Sequence, residues 1–597
     1  MALLASFLYA LLASSLAHNT KQSRQYTGVA ILNPNMDGFI EKVISSWNSP
    51  GGAGVAVVKQ HEDGSWQVET KGYGIANVAE QRKIDADSLF YIGSNSKLLA
   101  AIAGGLLVAN ESLSPRISWD TKIADVLPES IWKLQDPMAS AETTITDAMS
   151  HRTGLPDHVS SYSRTDTVES VLKKARHLKP SAGFRSTWQY NSIMYSLLGY
   201  LPAATLPQKP ALATYLKTHV FDPLGLTSAT FSLATAKKSG KLADPTAREG
   251  INRTEDLFGK GITRVLRYPT WFQEDSEDGG FIAGAGGAIM SVKDVASWLQ
   301  VLLLEGQNAQ TGEQVIPQEV IRKVSSGISV VLAEPQYPEM SNVVYGGGLS
   351  RASYRGNDVI EHNGGLPGYF TRITRLPNSK LGVAVLTNDD NYGDFIMEII
   401  KWRIIDEALG LEPIDWDSRM RAMVKETYQS QISAGEARPS NPTPPPVPFE
   451  QLSGLYRNLG YGDFELCYVS APPSDSESES CRKLREDQPV MLPDAVRKDI
   501  PTFLARWDRF WYSYVKLEYI DGALFSFQAL ESQPTNDTSK PYWTYNFEEV
   551  ASAAEFAVED GKIGFGMIGG FWSAGPGVED PVGGSAMERS EVWFEKI

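Results

Sequence analysis

Residues 89–108 read LFYIGSNSKLLAAIAGGLLV, and this stretch decides the class of fold. Residues 97–108 are apolar on nearly every side, which predicts a helix buried in a core rather than one at the surface. The apolar residues 89–92, followed by Gly93, favour a short strand and a turn that lead into this helix. A strand, a glycine turn and a buried helix in this order indicate a protein of the α/β (α+β) class.

The segments around this stretch continue the mixture of strand and helix. Residues 54–59 and 66–71 flank a turn at Glu62-Asp63-Gly64 and predict an antiparallel strand pair. Further helical patterns lie at residues 292–304 and 395–409, and further strand patterns at residues 346–354, 369–376 and 381–386.

The clearest boundary in the chain is residues 438–448, RPSNPTPPPVP. A proline-dominated segment joins neither a helix nor a sheet ladder, so we expect a semi-rigid linker here. It divides an N-terminal part, residues 18–437, from a C-terminal part, residues 449–597. The C-terminal part contains short segments, most of them with aromatic residues, separated by Gly, Asn, Asp and Pro. This spacing predicts a small antiparallel β-barrel or sandwich.

Composition limits the classes of function. The chain has 597 residues, of which 42% are hydrophobic and 21% charged, as in soluble globular proteins. Its formal net charge is −16, which disfavours binding to phosphate backbones and anionic membranes. Nucleic acid is therefore not an expected partner. Only two cysteines are present, too few for a cysteine-rich zinc module.

The N-terminus predicts secretion. Residues 1–17, MALLASFLYALLASSLA, form an uncharged apolar run that ends in a small-x-small pattern, as signal peptides do. A buried or membrane-surface helix is the alternative. No later stretch approaches the roughly 18 apolar residues of a transmembrane helix. In a secreted protein, the Asn-x-Ser/Thr triplets at Asn110, Asn252 and Asn536 are candidate glycosylation sites. Secretion would also suit a disulfide between Cys467 and Cys481, with two free buried thiols as the alternative.

The first element of possible chemistry is Ser94-Asn95-Ser96-Lys97. Residues i and i+3 share one face of a helix, so the Lys97 amine is expected beside the Ser94 hydroxyl. A desolvated lysine is a suitable base for activating a serine nucleophile. Only Ser94 has the strand, glycine turn and buried helix around it. The same Ser-x-x-Lys spacing also occurs at Ser130, Ser170, Ser480 and Ser513.

Two further elements follow along the chain. Tyr190 begins Tyr190-Asn191-Ser192, and its hydroxyl could lose or relay a proton if a cation lies nearby. His362-Asn363-Gly364-Gly365 has the pattern of an edge strand that lines a cleft. Each of these residues has an ordinary structural alternative as part of the core. Lys238-Ser239-Gly240 is a rival for the third element, but its polar surroundings favour a helix end.

In this order, the three elements resemble the motifs of serine β-lactamases and penicillin-binding proteins. The resemblance is closer to the class C β-lactamase-related group of esterases and D-amino-acid peptidases, the S12 peptidase family. It covers approximately residues 48–411 and includes DSLFYIGSNSK, DTKIADVLPE, SHRTGLPDH, AGAGGAIMSVKDVASWL and IEHNGGLPGYFTRITRLPNSKLGVAVLTN. It implies an antiparallel sheet flanked by helices, with a helical subdomain. The C-terminal part resembles the lipocalin-like β-barrel often appended to this family.

The resemblance also implies roles for particular residues. Ser94 matches the acylated nucleophile, Lys97 its general base, and Tyr190 the tyrosine that shuttles a proton to the leaving group. The backbone N–H groups of Ser94 and Gly365 match the two oxyanion donors. His362 stands where β-lactamases have a lysine that contacts a substrate carboxylate, and its neutrality favours neutral esters or small amides.

The tyrosine motif departs from the family. The family's usual asparagine, two places after the tyrosine, is Ser192 here, and an asparagine stands at position 191 instead. Either contact with the substrate amide is weakened, or Asn191 fills that role from a shifted backbone. We therefore take both Asn191 and Ser192 as candidate substrate-binding residues.

Other enzyme classes lack their motifs in this sequence. It contains no Gly-x-Ser-x-Gly, His-Glu-x-x-His or P-loop. Gly564, Gly566 and Gly569 match a dinucleotide fingerprint, but no helix pattern follows them. We expect no metal or other cofactor and a small ester or amide as substrate. The sequence thus predicts a serine hydrolase with a Ser94 acyl-enzyme. An acyltransferase and a non-catalytic binding protein of the same fold are the alternatives, and the oligomeric state is left open.

Overall fold

The structure is a computed structural model that describes residues 28–267, 277–434, 438–473, 477–547 and 552–597. The predicted signal peptide, residues 1–17, lies outside these ranges. Within them, no helix combines the length and the apolar character needed to cross a membrane.

The N-terminal part is built on a large antiparallel sheet. Its strands are β1 (Gly52–Gln60), β2 (Trp66–Asn77), β3 (Arg82–Lys83), β4 (Leu89–Tyr91), β5 (Thr246–Glu249), β6 (Ile262–Val265), β7 (Ile289–Ser291), β8 (Ser329–Leu332), β9 (Val343–Tyr345), β10 (Ser350–Tyr354), β11 (Asn357–Leu366), β12 (Tyr369–Leu376) and β13 (Leu381–Thr387). Among these described strands, nine form one sheet in the order β3-β2-β1-β13-β12-β11-β10-β9-β8. β4 pairs with β7, and β5 pairs with β6.

Helices cover both faces of this sheet and form a helical region beside it. They are α1 (Pro34–Ser46), α2 (Ser96–Ala109), α3 (Ile123–Val126), α4 (Pro137–Glu142), α5 (Ile145–Met149), α6 (Val168–Lys174), α7 (Ser192–Thr205), α8 (Leu212–Leu216), α9 (Asp222–Leu224), α10 (Leu233–Lys238), α11 (Ala283–Gly286), α12 (Val292–Leu303), α13 (Gln318–Val324), α14 (Gly393–Leu409) and α15 (Trp416–Ala434). The helices α2 to α10 lie between β4 and β5 in the chain.

Strand β1 shows how the sheet is buried on both faces. Val55 and Val57 belong to the apolar cluster that contains residues of α1 and α14. Ala56 and Val58 point the other way, into the cluster that contains residues of α2 and α12. Successive side chains of a strand face opposite sides, so a strand covered on both faces reads as a continuous apolar run.

The central helix forms where its sequence predicts it. Helix α2 is Ser96–Ala109, and all but three of its residues are buried. It packs against α7, α11 and α13, so apolar side chains on every side of it find a partner. The predicted antiparallel sheet with flanking helices and a helical subdomain is confirmed.

The C-terminal part is a closed antiparallel barrel. Its strands are β14 (Gly454–Asn458), β15 (Gly462–Tyr468), β16 (Thr502–Arg506), β17 (Tyr514–Asp521), β18 (Leu524–Pro534), β19 (Tyr542–Asn546), β20 (Ser552–Glu559), β21 (Lys562–Ile568) and β22 (Val592–Lys596), and its helices are α16 (Phe449–Leu452), α17 (Glu479–Met491) and α18 (Ala586–Arg589). β17 pairs with both β16 and β18, which closes the described strands into a ring, and β19 adds to β18 outside it. The predicted β-barrel is confirmed.

The proline-rich segment packs along the barrel and does not hold it away from the rest of the chain. The Thr443 N–H donates to the Asp521 carboxylate over 2.5 Å, and Val447 packs against the main apolar cluster. That cluster includes residues of both parts, and the Phe281 and Phe510 rings meet across the contact at 4.9 Å. Apolar residues of the barrel are therefore buried against the N-terminal part, and the linker at residues 438–448 stays a prediction.

Candidate active site

The turn that leads into α2 brings the predicted nucleophile to the sheet. Gly93 has a φ of +52°, and a Cβ there would lie 2.9 Å from the Gly364 Cα on β11. Only glycine allows this close approach at a positive φ. The Asn95 amide donates to the Thr371 hydroxyl (3.0 Å), which donates to the Ile92 carbonyl (2.9 Å). These bonds hold the Ser94 turn against β11 and β12.

Ser94 and Lys97 lie together as their spacing predicts. The Lys97 Nζ is 3.1 Å from the Ser94 Oγ and donates to the Ala285 carbonyl over 2.9 Å. Lys97 is buried, whereas Ser94 is partly exposed. Burial lowers the pKa of Lys97 to about 7, although the Asp157 carboxyl acts in the opposite direction. The amine is therefore partly neutral near neutral pH, with its lone pair available to Ser94.

Tyr190 lies on the other side of the nucleophile. It precedes α7, and its hydroxyl donates to the Ser94 Oγ over 2.8 Å. The Lys97 Nζ stands 4.6 Å from the centre of the Tyr190 ring. Burial raises the pKa of Tyr190 well above its usual value. Desolvation therefore keeps the phenol protonated in the free protein, and the loss or relay of a proton by Tyr190 during the reaction stays a prediction.

His362 occupies the strand that faces these residues. β11 pairs with β10 as far as Glu361, and from His362 onward its described partner is β12 alone. This half of β11 is thus an edge, as its sequence predicts. The His362 Nδ1 donates to the Asn363 carbonyl (2.5 Å), and its Nε2 accepts from the Tyr345 hydroxyl (2.9 Å). Burial, with a smaller effect of Lys97, lowers the pKa of His362 to about 3, so the ring is neutral.

The two predicted oxyanion donors belong to adjacent backbone segments. A Cβ on Gly93 would lie 2.9 Å from the Gly365 nitrogen, so the chain just before Ser94 touches the Gly365 amide. Gly365 is exposed and follows His362 along the edge of β11. The use of these two N–H groups as oxyanion donors stays a prediction, as do the catalytic roles of Ser94, Lys97 and Tyr190.

The structure places Asn191 and Ser192 differently from Tyr190. Asn191 is fully buried, its amide donates to the Leu155 and Pro156 carbonyls, and its side-chain oxygen caps α7. The Ser192 backbone N–H and hydroxyl both donate to the Asp157 carboxyl, over 2.6 and 3.3 Å. Both side chains are thus engaged within the protein, and contact of either with substrate stays a prediction.

Three residues of the site were not singled out from the sequence. Asp157 and His151 lie in the stretch SHRTGLPDH, whose likeness to the family assigned them no role. The Asp157 charge raises the pKa of Lys97 against the effect of burial, while burial raises the pKa of Asp157 itself. The His151 ring lies 4.6 Å from the Tyr190 ring, and the Tyr345 ring 5.7 Å from the His362 ring. Tyr345 has no sequence signal at all.

The remaining candidate residues lie away from this cluster. A disulfide joins Cys467 to Cys481, with 5.4 Å between their Cα atoms. Asn252 and Asn536 are exposed and Asn110 is partly exposed, and their glycosylation stays a prediction. The rival Lys238-Ser239-Gly240 ends α10, as its polar surroundings indicate. Among the described residues, no three His, Cys, Asp or Glu side chains converge in a way that could hold a metal ion.

This arrangement of side chains suits acyl transfer. Ser94 is partly exposed, a buried amine beside its Oγ can take its proton, and a neutral phenol beside it can donate one. A family model described as Beta-lactamase matches residues 46–404. The chain belongs to the Beta-lactamase family. This assignment covers every residue of the cluster from Ser94 to His362.

Known proteins similar to this Beta-lactamase family member include a fungal hydrolase. Unguisins hydrolase ungD of Aspergillus violaceofuscus is 28% identical over 464 residues, which cover 73% of this chain and 77% of that protein. Penicillin-binding protein 4* of Bacillus subtilis is 21% identical over 376 residues, which cover 60% and 73%. The solved structure of D-amino acid amidase from Ochrobactrum anthropi is 18% identical with a TM-score of 0.48, covering 64% of this chain and 98% of that one.

Proposed function

We propose that this protein is a serine hydrolase that cleaves a neutral ester or small amide through an acyl-enzyme on Ser94. One observation carries the proposal: the Lys97 Nζ and the Tyr190 hydroxyl both lie within hydrogen-bond distance of the Ser94 Oγ. A nucleophile flanked by a desolvated base and a proton donor has what both halves of an acyl-transfer reaction need. The similarity to a protein named as a hydrolase supports the same class of reaction.

Acylation starts from neutral Lys97. Its lone pair takes the Ser94 proton while the Oγ bonds to the substrate carbonyl carbon, and the carbonyl oxygen becomes an oxyanion. The backbone N–H groups of Ser94 and Gly365 receive this oxyanion. As the bond to the leaving group breaks, the Tyr190 hydroxyl gives its proton to the departing oxygen or nitrogen. The Lys97 ammonium, 4.6 Å from the centre of the tyrosine ring, returns a proton to Tyr190.

Deacylation runs these steps in reverse, with water in the place of the leaving group. Water gives a proton to the base formed by Lys97 and Tyr190 and bonds to the acyl carbon, and the bond between that carbon and the Ser94 Oγ breaks. The proton then returns to the Oγ, which restores the free enzyme. An alcohol or amine in place of water would make the same site an acyltransferase.

The substrate class follows from the charge at His362. A lysine at this position offers a permanent cation to a substrate carboxylate, whereas His362 has a pKa of about 3 and offers a neutral ring. A buried neutral ring does not compensate for the desolvation of a carboxylate. We therefore infer that the group of the substrate next to His362 is uncharged.

Labelling of the nucleophile tests the proposal. A fluorophosphonate should label the wild-type protein, and Ser94→Ala should abolish both labelling and hydrolysis of a p-nitrophenyl ester. Ser480→Ala is the matched control, because Ser480 has the same Ser-x-x-Lys spacing but is exposed on α17. Full turnover by Ser94→Ala would reject the acyl-enzyme.

A substrate panel then separates the remaining possibilities. Neutral esters and D-amino-acid amides should be cleaved faster than nitrocefin, which carries a carboxylate. Faster cleavage of nitrocefin would contradict the neutral substrate class. Mass spectrometry of products formed with added alcohols and amines distinguishes hydrolysis from acyl transfer.

A further inference from the structure

His151 lies beneath Tyr190 and contacts the chain on both sides of it. The His151 carbonyl accepts the Gln189 N–H over 2.9 Å, and the His151 Nδ1 accepts the Asn191 N–H over 3.0 Å. One residue therefore holds the N–H of the peptide that follows Tyr190 and the N–H of the residue that precedes it. Because these two bonds hold the backbone on both sides of Tyr190, His151 fixes where that side chain leaves the backbone.

The imidazole ring also packs against the tyrosine itself. Its centre lies 4.6 Å from the centre of the Tyr190 ring at an angle of 39°. Rings of Tyr195, Tyr345 and Trp188 surround it at 5.1, 5.0 and 5.8 Å. The Tyr190 ring thus packs on the His151 ring, and three other aromatic side chains fix the position of His151.

Two features of His151 are unfavourable for an ordinary core residue. Its φ is +58°, in the left-handed region that is uncommon for residues other than glycine, although histidine is enriched there. Since the Nδ1 accepts a hydrogen bond, the proton is on the Nε2, which is buried and has no hydrogen-bond partner among the described residues. Strain and an unsatisfied buried donor concentrate at functional sites, where the surrounding structure holds them in place.

We propose that His151 is a positioning residue that holds the Tyr190 hydroxyl against the Ser94 Oγ. This inference rests on the proposed role of Tyr190 as proton donor. His151 touches neither Ser94 nor the reacting atoms in this arrangement, and it acts through the backbone and the ring of Tyr190. Burial lowers the pKa of His151 well below its usual value, so the Nδ1 stays available as an acceptor over the working range of pH.

A double-mutant cycle tests this role. His151→Leu removes the Nδ1 acceptor and the ring, and it should lower kcat roughly ten- to a hundredfold with little change in KM, since misplacing a catalytic group by about 1 Å has an effect of this size. Tyr190→Phe removes the hydroxyl that His151 positions. In that background, His151→Leu should have almost no further effect on kcat.

A second variant and a control complete the experiment. His151→Asn keeps an acceptor near the position of the Nδ1 and suits a positive φ, so it should lose less kcat than His151→Leu. If His151→Leu does not fold, the same cycle with His151→Asn should show a smaller loss that also disappears in Tyr190→Phe. His219→Leu removes an exposed histidine whose ring contacts that of Tyr215 at 4.5 Å outside the site, and kcat should not change.

The possible failures are distinguishable. Full activity of Tyr190→Phe alone would reject the proposed role of Tyr190 and the inference with it. An impaired Tyr190→Phe, together with unchanged kcat in folded His151→Leu, would overturn the inference alone. A loss from His151→Leu that is equally large in both backgrounds would also overturn it, because the effect would not pass through Tyr190.

Discussion

At the scale of single residues, the pKa of Lys97 sets the pH range of the reaction. Because only the neutral amine accepts the Ser94 proton, kcat/KM should rise with pH and level off above a midpoint near pH 7. An ordinary exposed lysine would place this midpoint above pH 10. The pH dependence of kcat/KM with a neutral ester measures it directly.

A control assigns this midpoint to Lys97. His362 lies close enough for Lys97 to affect it, but its pKa of about 3 leaves it neutral on both sides of pH 7. His362→Asn should therefore leave the midpoint in place, even if KM changes. A midpoint that disappears in His362→Asn would assign the titration to the histidine instead.

Sequence spacing predicted only part of this cluster. Ser94 lies in the helical turn directly before α2, three residues from Lys97, so their proximity follows from local helix geometry. Tyr190 is 96 positions from Ser94, and no local pattern links them, so its placement came from the family resemblance alone. The sequence did not predict the burial of Tyr190, because that burial depends on rings contributed by distant segments.

At the scale of elements, the turn before α2 and the edge of β11 should act as one unit. Gly93→Ala would place a Cβ 2.9 Å from the Gly364 Cα and the Gly365 nitrogen, so the turn must move away from the strand. We expect a loss of kcat of roughly a hundredfold, the size of effect seen when one oxyanion donor is removed. Steady-state kinetics measure this loss, and thermal unfolding measures the change in stability of the same variant.

Gly64→Ala is the matched control for this turn. Gly64 has a φ of +80° in the β1–β2 hairpin, with nothing within 4 Å of an added Cβ. Both substitutions should therefore destabilise the fold by about 1–2 kcal/mol through backbone strain. Only Gly93→Ala should lose activity, and comparable kcat values in the two variants would contradict the coupling of turn and strand.

Helices and strands with a strong apolar pattern were predicted from the sequence, and those without such a pattern were not. β12 and β13 follow their apolar patterns closely, and α2 follows its long apolar run. α17 has only two buried residues, Cys481 and Leu484, and contains Pro489, so it has little helical pattern. In β21, a Cβ on Gly564 would meet the Trp593 ring and one on Gly566 the Ser590 side chain. Those glycines serve packing in the barrel, which a sequence pattern does not reveal.

At the scale of the whole molecule, the barrel contacts the chain next to two parts of the site. The Gly575 N–H donates to the Gln189 side chain over 2.9 Å, one residue before Tyr190. On the other side, the Tyr545 hydroxyl donates to Asp390 over 2.8 Å, and Asp390 accepts the Gly368 N–H, three residues after Gly365. The barrel thus supports the segment that carries the proton donor and the turn next to the oxyanion donor.

A single methyl group on the barrel should therefore affect catalysis. A Cβ at Gly575 would lie 2.9 Å from the Trp188 carbonyl, so Gly575→Ala must push this loop away from the segment that holds Tyr190. We expect kcat to fall roughly three- to tenfold, with KM for a small ester little changed, because a small displacement of Tyr190 weakens proton transfer more than binding. Gly577→Ala, in the same loop, is a stringent control: its φ of +80° makes it the more strained substitution, but nothing lies within 4 Å of the added methyl. If Gly575→Ala keeps full kcat, or if Gly577→Ala loses as much, the barrel contributes stability to the chain but not the position of Tyr190.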